Sequence, residues 1–300
     1  MSLLAMSLLL PAAGCGDVSQ KNDWIVQAVF EEAGEEAAGV KLLCRTAESE
    51  EGEYKLFSAQ GAEEEDALRK LERQESGSFY FGHCELLFLE KETTAERAED
   101  AAEFWQEPEK GCGNMAVYLI NMGEEEKEGQ DWKGFFSQLE RLHKEQPVTA
   151  WAHNVAGEED SFLLPQLLWE EDGLKSDGVV FFWENGKEAW NDGRAQLAGV
   201  ILGRKDRLAW QSGEGEEIVL EPVVVSYPFT EAETKKAAVV LDAFDNGQTG
   251  AKAAKRAKEE IERELVQMVQ ETAQPEKDIF GFARRRIPAE NPHCRVNIWS

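Results

Sequence analysis

Between residues 62 and 120 segments of helical period alternate with short apolar runs, and that alternation restricts the chain more than any other feature. A sheet must form, and helices must pack on it. Ala62 to Glu75 places Leu68 and Leu71 at helical spacing, and Phe79 to Leu89 follows as the most apolar strand of the N-terminal half. Thr94 to Trp105 reads as a second helix that stops ahead of Pro108, because proline in a helix interior loses a hydrogen bond and clashes with the preceding turn. Asn114 to Ile120 then returns as a strand. Upstream, Trp24–Phe30, Val40–Cys44 and Tyr54–Phe57 are expected as the three strands of a meander. Downstream, Asp131 to Lys144 carries Phe135, Leu139 and Leu142 on one stripe, and Ser161 to Trp169 is expected as a shorter helix before Glu171-Asp172-Gly173 breaks the pattern.

The second half begins with a strand over Gly178–Trp183, and Asn185-Gly186 is a strong two-residue hairpin turn into Glu188-Ala189-Trp190. Further strands are expected at Arg207–Gln211, Glu217–Ser226 and Ala237–Phe244, followed by a long helix over Ala251–Gln270. Charge divides along the same line. Residues 1–174 hold 14 basic and 38 acidic side chains, a net of -24, whereas residues 175–300 hold 18 and 21, a net of -3. The expected organisation is an α/β (mixed α+β) protein of two modules, each a mainly antiparallel or mixed sheet packed with helices: a leader over 1–15, an N-terminal domain over 16–174 and a C-terminal domain over 175–300.

The overall charge of -27 repels phosphate backbones and anionic headgroups, so nucleic acid is not expected as a partner. Acidic runs such as Glu63-Glu64-Glu65-Asp66 lack the spaced oxygen ligands and the glycine of a calcium loop and read as solvated surface. At the N-terminus an apolar stretch from Leu3 to Leu10 leads into small residues, the pattern of a signal peptide, and it is too short to cross the roughly 30 Å hydrocarbon layer as a helix. Ala12-Ala13-Gly14-Cys15 resembles the lipobox at which a cysteine thiol is diacylated and the chain is cut ahead of it, although Ala12 stands where Leu is usual and no Lys or Arg precedes the apolar stretch. Cys15 is therefore the expected lipid attachment site, with a plain cleaved signal as the alternative. Two acyl chains hold a protein firmly on a bilayer where one gives only marginal, reversible binding.

Signals for chemistry are sparse. GxSxG, P-loop, GxGxxG and HExxH patterns do not occur, and His83, His143, His153 and His293 are scattered without ligand spacing. Cys44, Cys84, Cys112 and Cys294 show no CxxC spacing, and Cys44 and Cys84 lie in apolar runs as buried thiols. His83 and Cys84, as neighbours on one strand, are expected to face opposite ways and not to share a proton. No enzyme activity, metal or cofactor is expected. The nine tryptophans are expected mostly in packing, with partner or sugar contacts as the alternative.

Two segments carry a resemblance: Phe79-Tyr80-Phe81-Gly82-His83-Cys84-Glu85-Leu86-Leu87-Phe88-Leu89, and Glu276-Lys277-Asp278-Ile279-Phe280-Gly281-Phe282. Together with the leading lipobox and a segment around Phe104-Trp105-Gln106-Glu107-Pro108, in this order, they resemble the Ger(x)C family, the lipoprotein C subunits of spore germinant receptors. The resemblance spans about residues 15–300. It implies a lipid-anchored subunit on the outer face of a membrane, assembled with a multispanning A subunit and a transporter-like B subunit through which small nutrients trigger germination. It implies no catalysis, and it attributes germinant binding mainly to the B subunit. Only Cys15 is carried over as a functional residue. Gly82, His83, Asp278, Phe280 and Gly281 are carried over as fold-determining, the glycines at turns where a side chain would hinder the backbone. The chain departs from the family in its acidity and in ending at Val296–Ser300, where relatives continue through a final strand, so the last sheet is expected to be incomplete. The readings set beside this one are a surface lipoprotein that captures a solute or glycan, and a secreted hydrolase.

The long C-terminal helix places Ala254, Ala257, Ile261, Leu265 and Met268 on one stripe. Its first turns carry Lys252, Lys255, Arg256 and Lys258, against the helix dipole, and the Lys255/Glu259 and Arg256/Glu260 pairs run in the weaker order. Tertiary packing must hold it. A peptide of residues 249–272 is expected to be largely unfolded in water, and strong helical circular dichroism would refute this.

Overall fold

The structure, a computed structural model, describes residues 24–33, 38–46, 54–75, 78–121, 131–146, 148–157, 161–170, 173–213, 215–227, 239–245, 249–285, 287, 289–290 and 292–299. The leader and Cys15 lie outside the described residues. Strands β1 (Trp24–Ala33), β2 (Ala38–Thr46) and β3 (Tyr54–Gly61) form the expected antiparallel meander. Helix α1 (Glu64–Gln74) follows, then strands β4 (Phe79–Tyr80) and β5 (Leu86–Glu90), both parallel to β1. The single strand expected over 79–89 is thus two strands interrupted by a turn at Gly82-His83.

Helix α2 (Ala95–Gln106) leads to β6 (Ala116–Asn121), parallel to β5, and α3 (Trp132–Glu145) to the short β7 (Ala150–Trp151) and α4 (Ala152–Val155). Each helix start reflects its sequence. Thr94 accepts from the Arg97 amide at 3.3 Å and Asp131 from the Gly134 amide at 2.9 Å, satisfying donors the first turn leaves free.

Next come β8 (Ser161–Glu170), β9 (Gly173–Trp183) and β10 (Gly186–Trp190), an antiparallel series that completes the first sheet in the order β10-β9-β8-β6-β5-β1-β2-β3. The expected helix over 161–169 is corrected: this segment is a strand. Its residues 161–167 are buried continuously, a pattern that both a two-sided strand and a buried helix produce, and Pro165, which lacks an amide hydrogen, sits where the register slips between Pro165 and Leu167. The boundary expected at 174/175 falls at the start of β9, inside the β8–β9 hairpin, and the first sheet continues to Trp190.

Helix α5 (Asp192–Ile201) then leads to β11 (Leu208–Gln211), β12 (Glu217–Ser226) and β13 (Val239–Asp245), and α6 (Ala251–Thr272) precedes β14 (Cys294–Trp299). These strands form the second sheet in the order β11-β12-β13-β14, with β14 an edge strand parallel to β13. Helix α5 escapes sequence periodicity because all of its residues from Leu197 to Ile201 are buried, so no polar face marks it.

Three cores result. Alternate residues of the central strands face opposite sides of the first sheet: Leu87, Leu89, Val117 and Leu119 pack with α1 and α2, while Phe88, Tyr118 and Ile120 pack with Trp132, Phe135 and Leu139 of α3. The third core lies under α6, whose Ala257, Ile261, Leu265 and Met268 are fully buried, against the second sheet, and it also takes Val179 and Phe181 from β9. Strand β9 supplies Val180 and Phe182 to the first core, so the edge of one sheet is a wall of the other core.

Arg194 of α5 joins the two halves. Its buried guanidinium lies 4.7 Å from the Trp190 ring and meets Glu188 of β10 at 3.2 Å, Glu264 of α6 at 3.2 Å, and Glu271 of α6 in a close pair. Arg194→Ala is expected to lower stability by about 3 kcal/mol in chemical denaturation, the low end for a broken buried pair because the carboxylates left behind reach solvent. A loss below about 1 kcal/mol, the value of an exposed pair, would contradict this role.

Candidate functional site

Parallel strands β5 and β6 pair from Leu86↔Ala116 onward, so the turns that precede them open side by side at one end of the sheet. Helix α3 runs beneath and β7 closes the side, leaving a cleft of about 640 Å³ bounded by the Gly82-His83 turn, Asn114, Tyr118, Glu140, His143 and Trp151. Tyr118, buried on β6, hydrogen-bonds His143 Nδ1 through its hydroxyl, and its ring stacks on Phe88 at 5.7 Å between centroids.

Burial lifts the Tyr118 phenol well above its ordinary range, and burial together with the nearby Lys205 ammonium holds the His143 imidazolium below it. The phenol therefore keeps its proton and donates, and neutral His143 accepts at Nδ1, which leaves Nε2 protonated. The pair can orient a polar ligand and is not an activated nucleophile.

His83 is exposed on the rim and meets Tyr80 edge-on at 5.7 Å. The neighbouring Cys84 is fully buried. Their expected separation holds, but the reason is corrected: they occupy a turn closed by the Cys84 amide donating to the Phe81 carbonyl at 2.8 Å, not adjacent strand positions. At Gly82 a Cβ would sit 2.4 Å from the Tyr80 hydroxyl and 2.5 Å from Cζ, so the exposed Tyr80 side chain lies over the turn where glycine leaves room for it.

Asp278, Phe280 and Gly281 lie elsewhere, on the third core. The Asp278 carboxylate accepts from the Ala283 and Arg284 amides, each at 2.9 Å, and fastens a turn in which Gly281 has φ +69°. That turn buries Phe280, stacked on Trp190 at 6.2 Å, and Phe282, fully enclosed. The structure does not bring the two motifs into one site.

A second cleft, of about 690 Å³, lies between the end of α3, β9, α5 and β11, and is lined by Gln146, Ser176, Gln196, Gln211, Asp192 and Glu264 among others. Gln146 Nε2 donates to Ser176 Oγ at 3.1 Å across it. Neither cleft is legible in the sequence, because the walls of each come from several elements that are not adjacent in the chain. Tyr118 and His143 each occupy an inward position of an element that was expected, and nothing local links them.

Comparison with known proteins adds no assignment: no protein-family model, no curated protein and no solved structure matches the chain. Among the described residues no helix is long and apolar enough to cross a membrane, and no group of three or more His, Cys, Asp and Glu side chains is placed to hold a metal ion.

His143 gives the site a pH dependence with a definite sign. Its folded pKa lies below the ordinary 6.5, so on acidification the unfolded chain binds a proton that the folded chain resists. The stability it contributes is present above pH 6.5 and is lost as pH falls toward the folded pKa. Buried Glu31, whose carboxyl desolvation pushes up to about 8, adds stability as pH falls and opposes His143, so the test is the difference between two chains: from pH 7 to 5, His143→Gln, which retains an acceptor for Tyr118, is expected to gain melting temperature relative to the native chain. A difference that stayed constant with pH in thermal melts would remove His143 from the account.

Proposed function

We propose that the chain is a lipid-tethered extracytoplasmic subunit, anchored through Cys15, that works by assembling with integral membrane partners and not by catalysis. In the terms of the family it resembles, it is the lipoprotein C subunit of a nutrient germinant receptor, beside an A and a B subunit. The observation that carries this reading is the outer face of the second sheet. Val224 of β12, Phe244 of β13 and Trp299 of β14 are 54%, 43% and 53% exposed on the side away from α6, and Phe244 and Trp299 are directly paired across the strands.

Large apolar side chains grouped in this way are unusual on a free surface and serve well as anchors for a partner. The face is also preset, since Asp242 accepts from Asn297 Nδ2 at 2.9 Å and from Trp299 Nε1 at 3.3 Å, which fixes the indole in place. The Asp278–Phe282 turn supports the same reading from the other side, because its motif residues are engaged in packing and capping. A second reading, capture of a small solute or glycan, draws on the amides and carboxylates around the 690 Å³ cleft; a ligand screen by thermal shift distinguishes it.

Co-purification from detergent-solubilised spore membranes tests the proposal, with the native chain compared with Cys15→Ala and with Phe244→Ala/Trp299→Ala. The native chain is expected to bring down an integral membrane partner, Cys15→Ala to leave the membrane fraction, and the double variant to fold normally but lose most of the partner. If neither the native chain nor Cys15→Ala retained any membrane partner, the proposal would fail.

A further inference from the structure

Two cysteines from different elements approach each other beside the 640 Å³ cleft, which Cys84 and Gly113, the neighbour of Cys112, help to line. Cys84 ends the turn between β4 and β5, and Cys112 lies in the loop between α2 and β6. Because β5 and β6 are parallel neighbours in register from Leu86↔Ala116, the residues just ahead of each strand are brought side by side, and Cys112 packs against the core that encloses Cys84, close enough for the two thiols to influence each other.

We infer that Cys84 and Cys112 are a redox-active dithiol that exchanges with external disulfides, with Cys112 as the attacking thiol and Cys84 as the resolving one.

The asymmetry of their surroundings assigns the roles. Cys84 is fully enclosed in the first core, its Sγ 3.9 Å from the Leu86 carbonyl, while Cys112 is half-buried at the surface of that core. The neighbouring Cys84 thiol and the Lys110 ammonium hold the Cys112 thiol below its ordinary range; the neighbouring Cys112 thiol and burial push Cys84 up. Lys110 is itself held, 3.3 Å from Glu65 and 4.2 Å from the centre of the Phe104 ring. An accessible, more acidic thiol beside a buried, protonated one is the arrangement that attacks a disulfide and then resolves the mixed disulfide. Gly111, at φ +70°, and Gly113 flank Cys112 with nothing within 4 Å of where a Cβ would stand, which gives the loop room to turn its sulfur outward. Cys44 and Cys294 are buried and pushed up by desolvation, Cys294 to about 12, so neither competes as the attacking group.

The exchange balances. Cys112 thiolate attacks one sulfur of an external disulfide, a mixed disulfide forms, and one thiolate leaves. Cys84 then gives up its proton and attacks the Cys112 sulfur, and the second external thiolate departs. The pair loses two electrons and two protons, and the external disulfide gains both to become two thiols. The new bond joins the Gly82-His83 turn to the loop at Gly113-Asn114, both of which line the cleft, so oxidation fixes two of its walls to each other.

The test uses the full-length chain in detergent, equilibrated in buffers of reduced and oxidised glutathione, quenched with a maleimide and analysed by peptide mass spectrometry. A Cys84–Cys112 linkage is expected to form and reverse with the glutathione ratio. In the reduced chain at pH 7, Cys112 is expected to be alkylated at least about ten times faster than Cys44, Cys84 or Cys294, as its thiolate character and access require. Cys84→Ser is expected to accumulate glutathione on Cys112; if that variant does not fold, the linkage and labelling of the unaltered chain decide. Absence of the linkage at every ratio, a Cys44–Cys84 bond as the main product, or Cys112 labelling no faster than the others would overturn the assignment.

Discussion

The fold depends on placing one guanidinium where water does not reach. Arg194 is the third residue of α5, and a buried cation is tolerated only when carboxylates and a ring face surround it. Glu188 comes from the end of the first sheet, Glu264 and Glu271 from one face of α6, and Trp190 provides the ring. The three acids retain partial contact with solvent, so their own desolvation is modest while their attraction for Arg194 is not. This matters for α6, whose first turns are electrostatically unfavourable and whose N-cap is Gly250 without a side-chain cap. Packing and the Arg194 cluster together fix which face of the helix turns inward.

The same junction ties the two sheets together. Successive residues of a strand face opposite ways, and β9 uses this to line two cores at once, with Val180 and Phe182 in one and Val179 and Phe181 in the other. Trp190, at the end of the first sheet, and Phe280 then stack within the third core, and Ile279 touches both cores. The charge imbalance between the two halves of the chain is real, but it follows the surface and not the cores.

Local patterning made much of this legible. The meander, α1 to α3, the Asn185-Gly186 hairpin and α6 each announce themselves through period, caps or turn residues acting within a few positions. What stayed hidden is what burial on all sides erases. Ser161–Glu170 and Asp192–Ile201 bury most of their length on all sides, so one reads as a helix and the other shows no pattern. The interruption at Gly82-His83 is hidden for a different reason, since apolar residues continue through it. Asp278, Phe280 and Gly281 lie in one turn on the third core, and Gly82 and His83 form a wall of a cleft. The side chains that complete that cleft, Tyr118 and His143, come from elements far apart in sequence.

Anchoring at Cys15, as proposed, gives the distribution of charge a mechanical meaning. An acidic N-terminal half is repelled by an anionic bilayer over roughly a Debye length, about 8 Å at physiological salt. The nine steps of chain from Cys15 to Trp24 can extend to at most about 30 Å. The tether is therefore long enough for the folded part to sit beyond the repulsive layer while the acyl chains stay in the membrane. Held at that distance, the protein would meet a partner through surface less acidic than the N-terminal half. The outer face of the second sheet, with Val224, Phe244 and Trp299 in a half of the chain whose net charge is only -3, has that character, and its Asp242 is engaged by Asn297 and Trp299.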